Sequence, residues 1–332
     1  MVALTPARLL KEGRRSLPVD GALIDPHGRR LRKLRVSVTQ ACNYRCLYCM
    51  APDHANPVED GLLAPREIAQ LVGTLVDLGV EAVRLTGGEP LLRRDVDGII
   101  DGLAGIPARK GVTTNGQFLS KYAGRLADAG FSSANVSLDS LDPDNFRRLA
   151  RGGELRTVLR AIDDCRDAGI AVKVNCVAMR GLNDHELEDF HAFATEREVE
   201  VRFLELMRIG PGQALHGAHF LPAAEIEARL EERFGPLLPL PAGDDSTSYR
   251  RTTSTGARIG FIASESRPFC GSCSRLRLSA KGLLHPCLFK DDGIDLRGAG
   301  PEEVREKVRM VAALKPTRRI AQVERPMHEI GG

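Results

Sequence analysis

Short apolar runs with strand-like alternation are interleaved along this chain with runs of helical period. Residues 34–39, 82–86, 112–115, 134–138, 171–178 and 199–207 alternate apolar and polar positions and are rich in valine. Between them, residues 65–78, 121–129, 155–168 and 184–196 repeat apolar side chains every three or four positions, and several of these runs stop at a glycine, as at Gly79, Gly130 and Gly169. Strands separated by helices predict an α/β fold with a parallel sheet. Right-handed crossovers curl it into an incomplete parallel (βα)6 TIM-like barrel.

The faces of these strands differ in chemistry. Val36 and Val38, Val83 and Leu85, Val136 and Leu138, and Val172 and Val174 form the side directed at the helices. The opposite side carries Arg35, Ser37 and Thr39; Arg84 and Thr86; Thr113 and Asn115; Asn135, Ser137 and Asp139; Lys173 and Asn175; Glu205 and Met207. A closed barrel normally fills its interior with branched apolar side chains, so a polar and basic interior implies a space for a charged ligand. An open sheet with one solvated face gives the same alternation.

Composition narrows the class. The chain has 332 residues, 42% hydrophobic and 27% charged, and a net charge of +3, which suits a globular enzyme rather than a nucleic-acid binder. No apolar run reaches the ~20 residues of a membrane span, and the first residues lack an apolar signal segment, so neither a membrane nor export is expected. Six of the eight cysteines fall into two tight groups, which reads as metal binding in the reducing cytoplasm. Cys165 and Cys176 lie in helix-like and strand-like runs and are expected to pack in the core.

The first group, Cys42, Cys46 and Cys49, has the spacing C-x3-C-x2-C directly after a strand. Three thiolates on a four-iron, four-sulfur cluster leave one iron without a protein ligand. A structural zinc site completed by His54 is the competing reading, although zinc motifs more often come as cysteine pairs. The second group, Cys270, Cys273 and Cys287, has the spacing C-x2-C-x13-C, common for zinc, with Arg275 and Arg277 between the second and third cysteines. At the end of the second strand, Gly87, Gly88, Glu89 and Pro90 allow close backbone approach at the strand edge where α/β sheets place ligands.

The first triad, with Tyr48 between its last two cysteines, resembles the signature of the radical S-adenosylmethionine superfamily. The stretch 260–289, with residues 84–95, 113–116, 136–142 and 202–207 in the same order, closely resembles the GTP 3′,8-cyclase family, which acts first in molybdenum cofactor biosynthesis. The likeness runs from about residue 31 to 289 and resumes at Ile330, Gly331 and Gly332. It implies two [4Fe–4S] clusters, one on each triad, with S-adenosylmethionine on the open iron of the first and the guanine of GTP on that of the second. A 5′-deoxyadenosyl radical takes the ribose 3′ hydrogen, and the carbon radical attacks guanine carbon 8.

Residue by residue, the resemblance assigns S-adenosylmethionine contacts to Tyr48, Gly88, Ser137 and Met207. It assigns GTP contacts to Arg35, Arg84, Thr113, Lys173, Arg275, Leu276 and Arg277, and catalytic roles to Arg35, Arg275, Arg277, Gly331 and Gly332. It further implies an electron donor, a homodimer, and transfer of product to cyclic pyranopterin monophosphate synthase. The expected organisation is an N-terminal extension (1–30), a radical S-adenosylmethionine partial barrel (31–215), an auxiliary-cluster domain (216–300), and a C-terminal helix and tail ending in Gly-Gly (301–332). The chain departs from the usual family text at Gln40 and Ala41, Arg208 and Ile209, and His328 and Glu329. A peptide-modifying enzyme of the superfamily remains an alternative, though such enzymes typically carry more C-terminal cysteines. A zinc-binding interaction module is another.

Overall fold

In the first strand, β1 (Lys33–Ser37), Leu34 and Val36 are buried while Arg35, between them, is only partly so. The coordinates are a computed structural model that describes residues 22–57, 60–241, 248–323 and 325–330. The basic stretch 7–15 and the terminal Gly331 and Gly332 lie outside the described residues.

Five further parallel strands follow: β2 (Ala82–Thr86), β3 (Arg109–Thr114), β4 (Phe131–Ser137), β5 (Ala171–Ala178) and β6 (Glu200–Glu205). The helices between them are α1 (Pro65–Asp77), α2 (Val96–Ala104), α3 (Leu119–Asp128), α4 (Pro143–Ala150), α5 (Leu155–Asp167) and α6 (Leu187–Glu196). Helix α1 begins at a proline, and Glu67 accepts a hydrogen bond from the Ala64 N–H at 2.7 Å. Its buried Ile68, Leu71, Val72 and Leu75 form one helical stripe against the sheet. In α5 the stripe Leu155, Val158, Ile162 and Cys165 does the same, and both Cys165 and Cys176 are fully inside the core as expected.

The segment after β6 adds α7 (Gly212–His219), α8 (Ala223–Phe234), strands β7 (Leu238–Leu240), β8 (Tyr249–Thr252), β9 (Arg258–Ile262), β10 (Arg275–Leu278), β11 (Leu283–His285) and β12 (Ile294–Asp295), and α9 (Pro301–Ala313). Its strands join the same sheet, whose order is β12-β11-β10-β1-β2-β3-β4-β5-β6-β9-β8-β7. β10 runs parallel beside β1 and β9 parallel beside β6, so the six expected strands are flanked by one more parallel strand on each side. The partial barrel is therefore present and wider than the alternation of residues 34–207 implies. Both triads follow from this layout: Cys42 lies just beyond the C-terminal end of β1, and Cys273 just before the start of its neighbour β10.

Candidate active site

The first cysteine loop is stitched by its own backbone. The Cys49 N–H donates to the Cys46 carbonyl at 2.9 Å, and the Arg45 guanidinium donates to the carbonyls of Cys42 at 2.6 Å, Tyr44 at 2.8 Å and His54 at 2.7 Å. Cys42 Sγ accepts from the Tyr44 N–H at 3.4 Å and from Asn115 Nδ2 at 3.9 Å. Burial pushes the Cys42 thiol up to about 11 and that of Cys49 up to about 12. Cys46 moves the same way, by burial and then by repulsion from Asp139 and the neighbouring thiols. Left to themselves these thiols stay protonated, and the positive charge of an iron–sulfur core is what would let them serve as thiolate ligands. His54, the fourth ligand of the zinc reading, packs its ring edge-on against His328 at 4.9 Å.

Gly87 and Gly88 are explained by packing. A Cβ on Gly88 would lie 2.2 Å from the Ala41 carbonyl oxygen, and one on Gly87 would lie 2.5 Å from that of Thr39. The Gly88 N–H donates to Thr39 O and the Glu89 N–H to Ala41 O, both at 2.8 Å, so this turn clamps the residues that lead into Cys42. Glu89, which the sequence marks only as part of the Gly-Gly turn, is fully buried. It accepts from the Asn115 N–H at 2.7 Å, Thr114 Oγ1 at 2.8 Å and the Leu91 N–H at 3.0 Å, and burial raises its carboxyl to about 7. Nearby, Tyr48 Oη donates to Asp139 Oδ2 at 2.9 Å, and burial raises Asp139 to about 6. Ser137 ends β4. Met207 packs with Ile209, Leu288 and Ile330.

The lumen face carries cations in register. Arg277, Arg35 and Arg84 stand side by side across β10, β1 and β2. Next to Arg84 is Gly111, whose missing side chain leaves room for the guanidinium; Arg84 donates to the Val112 carbonyl at 2.9 Å and Ser133 Oγ at 3.0 Å. Burial, followed by repulsion from Arg277, Arg275 and Arg84, holds Arg35 well below the usual guanidinium range. Burial likewise lowers Arg84 to about 10, with Arg202 adding to it. One row up, Thr113, Asn135, Lys173 and Glu200 are neighbours across β3 to β6. Thr113 Oγ1, Asn135 Oδ1 and Asn175 Oδ1 are buried without a hydrogen-bond partner, which calls for a ligand or bound water.

Two placements differ from expectation. On β6 the lumen positions are Glu200 and Arg202, paired with Lys173 and Asn175, so Glu205 falls on the outer face. There it accepts from the N–H groups of Ala223 at 2.9 Å, Glu265 at 2.8 Å and Ser266 at 2.9 Å. Leu276 is fully buried in register with Leu34, on the face opposite Arg275 and Arg277, so its side chain points away from the lumen. Arg202 and Glu200 were missed because apolar residues of 199–207 occupy both parities. Arg250 of β8 joins them, and a cavity of about 360 Å³ lined by Lys173, Glu200, Arg250 and Arg258 opens at this end of the lumen.

At the second triad, Cys270 and Cys273 frame a single helical turn and Cys287 follows β11. Burial alone would raise Cys273, but the cations of Arg275 and Lys315 bring it down to about 6. A thiol poised to ionise is a fitting ligand for a metal cluster. Arg275 lies over the ring of Phe269 at 5.0 Å. The C-terminal tail reaches the surroundings of both triads: Ile330 is buried with Ile209 and Leu288, Arg325 donates to Lys290 O at 2.9 Å, and His328 packs on His54.

A parallel α/β barrel with a three-cysteine loop at the end of its first strand defines the radical S-adenosylmethionine class. Residues 36–194 match the Radical SAM superfamily and residues 199–322 match Molybdenum Cofactor Synthesis C. The GTP 3′,8-cyclase of Synechocystis sp. is 41% identical over 96% of this chain and 97% of its own length. That of Pelotomaculum thermopropionicum is 38% identical over 93% of this chain and 99% of its own, and that of Nitrobacter hamburgensis 38% identical over 89% of each. The chain belongs to the GTP 3′,8-cyclase family. Among solved structures, Streptococcus suis SuiB bound to precursor peptide SuiA matches with a TM-score of 0.59 and 13% identity, over 79% of this chain and 61% of that one. This likeness concerns the fold alone and lends nothing to a peptide-modifying reading.

Proposed function

We infer that this chain converts GTP to (8S)-3′,8-cyclo-7,8-dihydroguanosine 5′-triphosphate. Family membership supports the reaction. The observation that carries the site is a lumen lined by Arg35, Arg84, Lys173 and Arg277, with orphaned oxygens on Thr113, Asn135 and Asn175, between two cysteine triads. When bound, a cluster with S-adenosylmethionine on Cys42, Cys46 and Cys49 supplies the radical that removes the ribose 3′ hydrogen, and one on Cys270, Cys273 and Cys287 supplies an open iron for guanine.

The chain's own residues supply the rest. Arg35, Arg84, Lys173, Arg275 and Arg277 meet the triphosphate with charge-assisted hydrogen bonds, and Thr113 orients the nucleotide beside them. Tyr48, Gly88, Ser137 and Met207 form the S-adenosylmethionine side, where the Gly87–Gly88 turn acts by holding the approach to Cys42. Leu276 contributes through its backbone. The lumen walls exclude water, so that a reactive carbon meets only its intended partner. Gly331 and Gly332, following the docked Ile330, complete the catalytic set with Arg35, Arg275 and Arg277.

The domain limits fall at 30, 215 and 300, with the units 31–215 and 216–300 sharing one sheet. An external one-electron donor, a homodimer, product transfer to cyclic pyranopterin monophosphate synthase and a cytoplasmic setting complete the reading. All eight cysteines are free, which suits a reducing compartment, and among the described residues no helix is long and apolar enough to cross a membrane. The deciding experiment is 5′-deoxyadenosine release by the anaerobically reconstituted, reduced protein with and without GTP. Strong stimulation by GTP is expected; release indifferent to GTP would discard the cyclase reading while keeping the superfamily.

A further inference from the structure

Arg29 and Lys315 come from opposite ends of the described chain, and both are almost inaccessible, at 7% and 3% exposure. Burying a cation is costly unless its hydrogen bonds are met. Here they are met by the backbone around the second triad. Arg29 Nη1 donates to the Cys270 carbonyl at 2.6 Å and to that of Pro316 at 2.8 Å. Its Nη2 donates to the Lys315 carbonyl at 3.1 Å, and its Nε pairs with buried Asp25 at 2.5 Å. Lys315 Nζ donates to the carbonyls of Arg275 at 2.6 Å and Pro286 at 2.9 Å.

These acceptors flank the triad. Cys270 is itself one of the three, Arg275 lies two residues beyond Cys273, and Pro286 immediately precedes Cys287. The two cations are linked through the Lys315 carbonyl, so one network spans the backbone beside all three cysteines. Asp25 fixes the Arg29 end by also accepting from the N–H groups of His27 and Arg29, both at 2.9 Å. The hydrogen-bond partners of Lys315 Nζ are carbonyls rather than carboxylates, which leaves its charge directed at the thiols. Burial lowers its ammonium while Cys273 and Cys287 pull it back up.

We propose that Arg29 and Lys315 are positioning residues for the second cluster: together they hold its three cysteine segments in register, and Lys315 places a fixed positive charge beside the thiolates. This rests on reading the second triad as an iron–sulfur site. It gives the segments before β1 and after α9 a shared task that no cysteine motif reveals. Removing either cation should loosen the second triad without touching the first, which is built from Arg45, Asn115 and the Gly87–Gly88 turn.

The test uses the full-length chain, reconstituted anaerobically, as wild type, Arg29→Met and Lys315→Met. Iron and sulfide per chain, S-adenosylmethionine binding, the midpoint potential of each cluster and the melting temperature of the metal-free protein are measured. Wild type should hold about eight irons, and the variants about four, with S-adenosylmethionine binding unchanged. Where Lys315→Met retains the second cluster, its potential should fall below that of wild type while the first cluster's stays put, because a positive charge that favours the reduced state is gone. Unchanged iron and unchanged potentials overturn the proposal. So does loss of both clusters with a lower melting temperature, which would make the network a brace for the whole fold. Wild-type protein holding zinc, or about four irons, would instead remove the two-cluster reading beneath it.

Discussion

Arg250 of β8 donates to Glu200 of β6 at 2.9 Å, reaching across a sheet position where Gly260 has no side chain. The same carboxylate accepts from Arg202 at 2.6 Å and lies 4.0 Å from Lys173. One anion thus gathers three lumen cations, and a phosphate chain entering the lumen competes with it. Replacing Arg250 by Ala is expected to weaken GTP binding about tenfold or more, as hydrogen bonds to charged groups are worth about 1.5–3 kcal/mol. Glu200→Gln should act in the opposite direction and tighten it. Calorimetric titration of the reconstituted variants with GTP and GMP checks this; equal changes for GMP would show that the network does not read phosphate.

Lys173 predicts a pH dependence. Burial, then the neighbouring Arg202, lowers its ammonium to about 8 from an ordinary 10.5, outweighing the pull of Glu200. Below that value the side chain is charged and can meet a phosphate; above it the charge is lost. GTP affinity should therefore fall as pH rises through about 8. In Lys173→Arg, whose guanidinium keeps its proton, the fall should be much shallower. Parallel profiles for the two proteins would place the titration elsewhere.

Glu89 predicts a second decline with rising pH, this one in stability. Its folded-state value of about 7 stands above the ordinary 4.5, so the native protein binds a proton that the unfolded chain has released. The contribution of this group is present at low pH and is lost as pH rises from about 4.5 to about 7. Melting of the metal-free protein should show that decline, and Glu89→Gln should flatten it. Glu89→Ala should cost more at every pH, about 1–3 kcal/mol for each N–H of Leu91 and Asn115 left unpaired. A wild-type curve with no slope in this window would refute the assignment.

Much of this architecture could be read from valine alternation. The six strands of the partial barrel and the inward direction of Arg35, Arg84, Thr113 and Lys173 follow from period 2 alone. Residues 199–207 carry two apolar phases, Val201 and Phe203 against Leu204 and Leu206, so that alternation places Glu205 inside and hides Arg202. β9 and β10 escaped because each is short and carries arginines, Arg258 in one and Arg275 and Arg277 in the other, so that neither looks like a buried strand. The role of Glu89 within its turn is hidden for another reason: apart from Leu91, its donors Thr114 and Asn115 lie at a different strand end, and no local pattern links them. The same holds for Arg250 with Glu200 and for Lys315 with Pro286, whose partnerships exist only in the register of the folded sheet and its loops.

The tail carries the last prediction. Ile330 is buried with Ile209, four residues beyond the barrel's sixth strand, and with Leu288, next to Cys287. Val323 pairs with Ile209 and exchanges backbone hydrogen bonds with Arg208 and Gly210, while His328 packs on His54 beyond Cys49. The segment is thus anchored to both cysteine loops before the chain reaches Gly331 and Gly332. Deleting those two glycines leaves every one of these anchors in place, so iron content, S-adenosylmethionine binding and melting temperature should be unchanged. Conversion of GTP should nevertheless be lost, since the deletion removes only what lies past Ile330. Product formation from GTP, measured beside iron content in the same preparation, separates the outcomes: unchanged turnover would show that the terminal glycines take no part, whereas loss of iron would mean that the tail serves assembly rather than reaction.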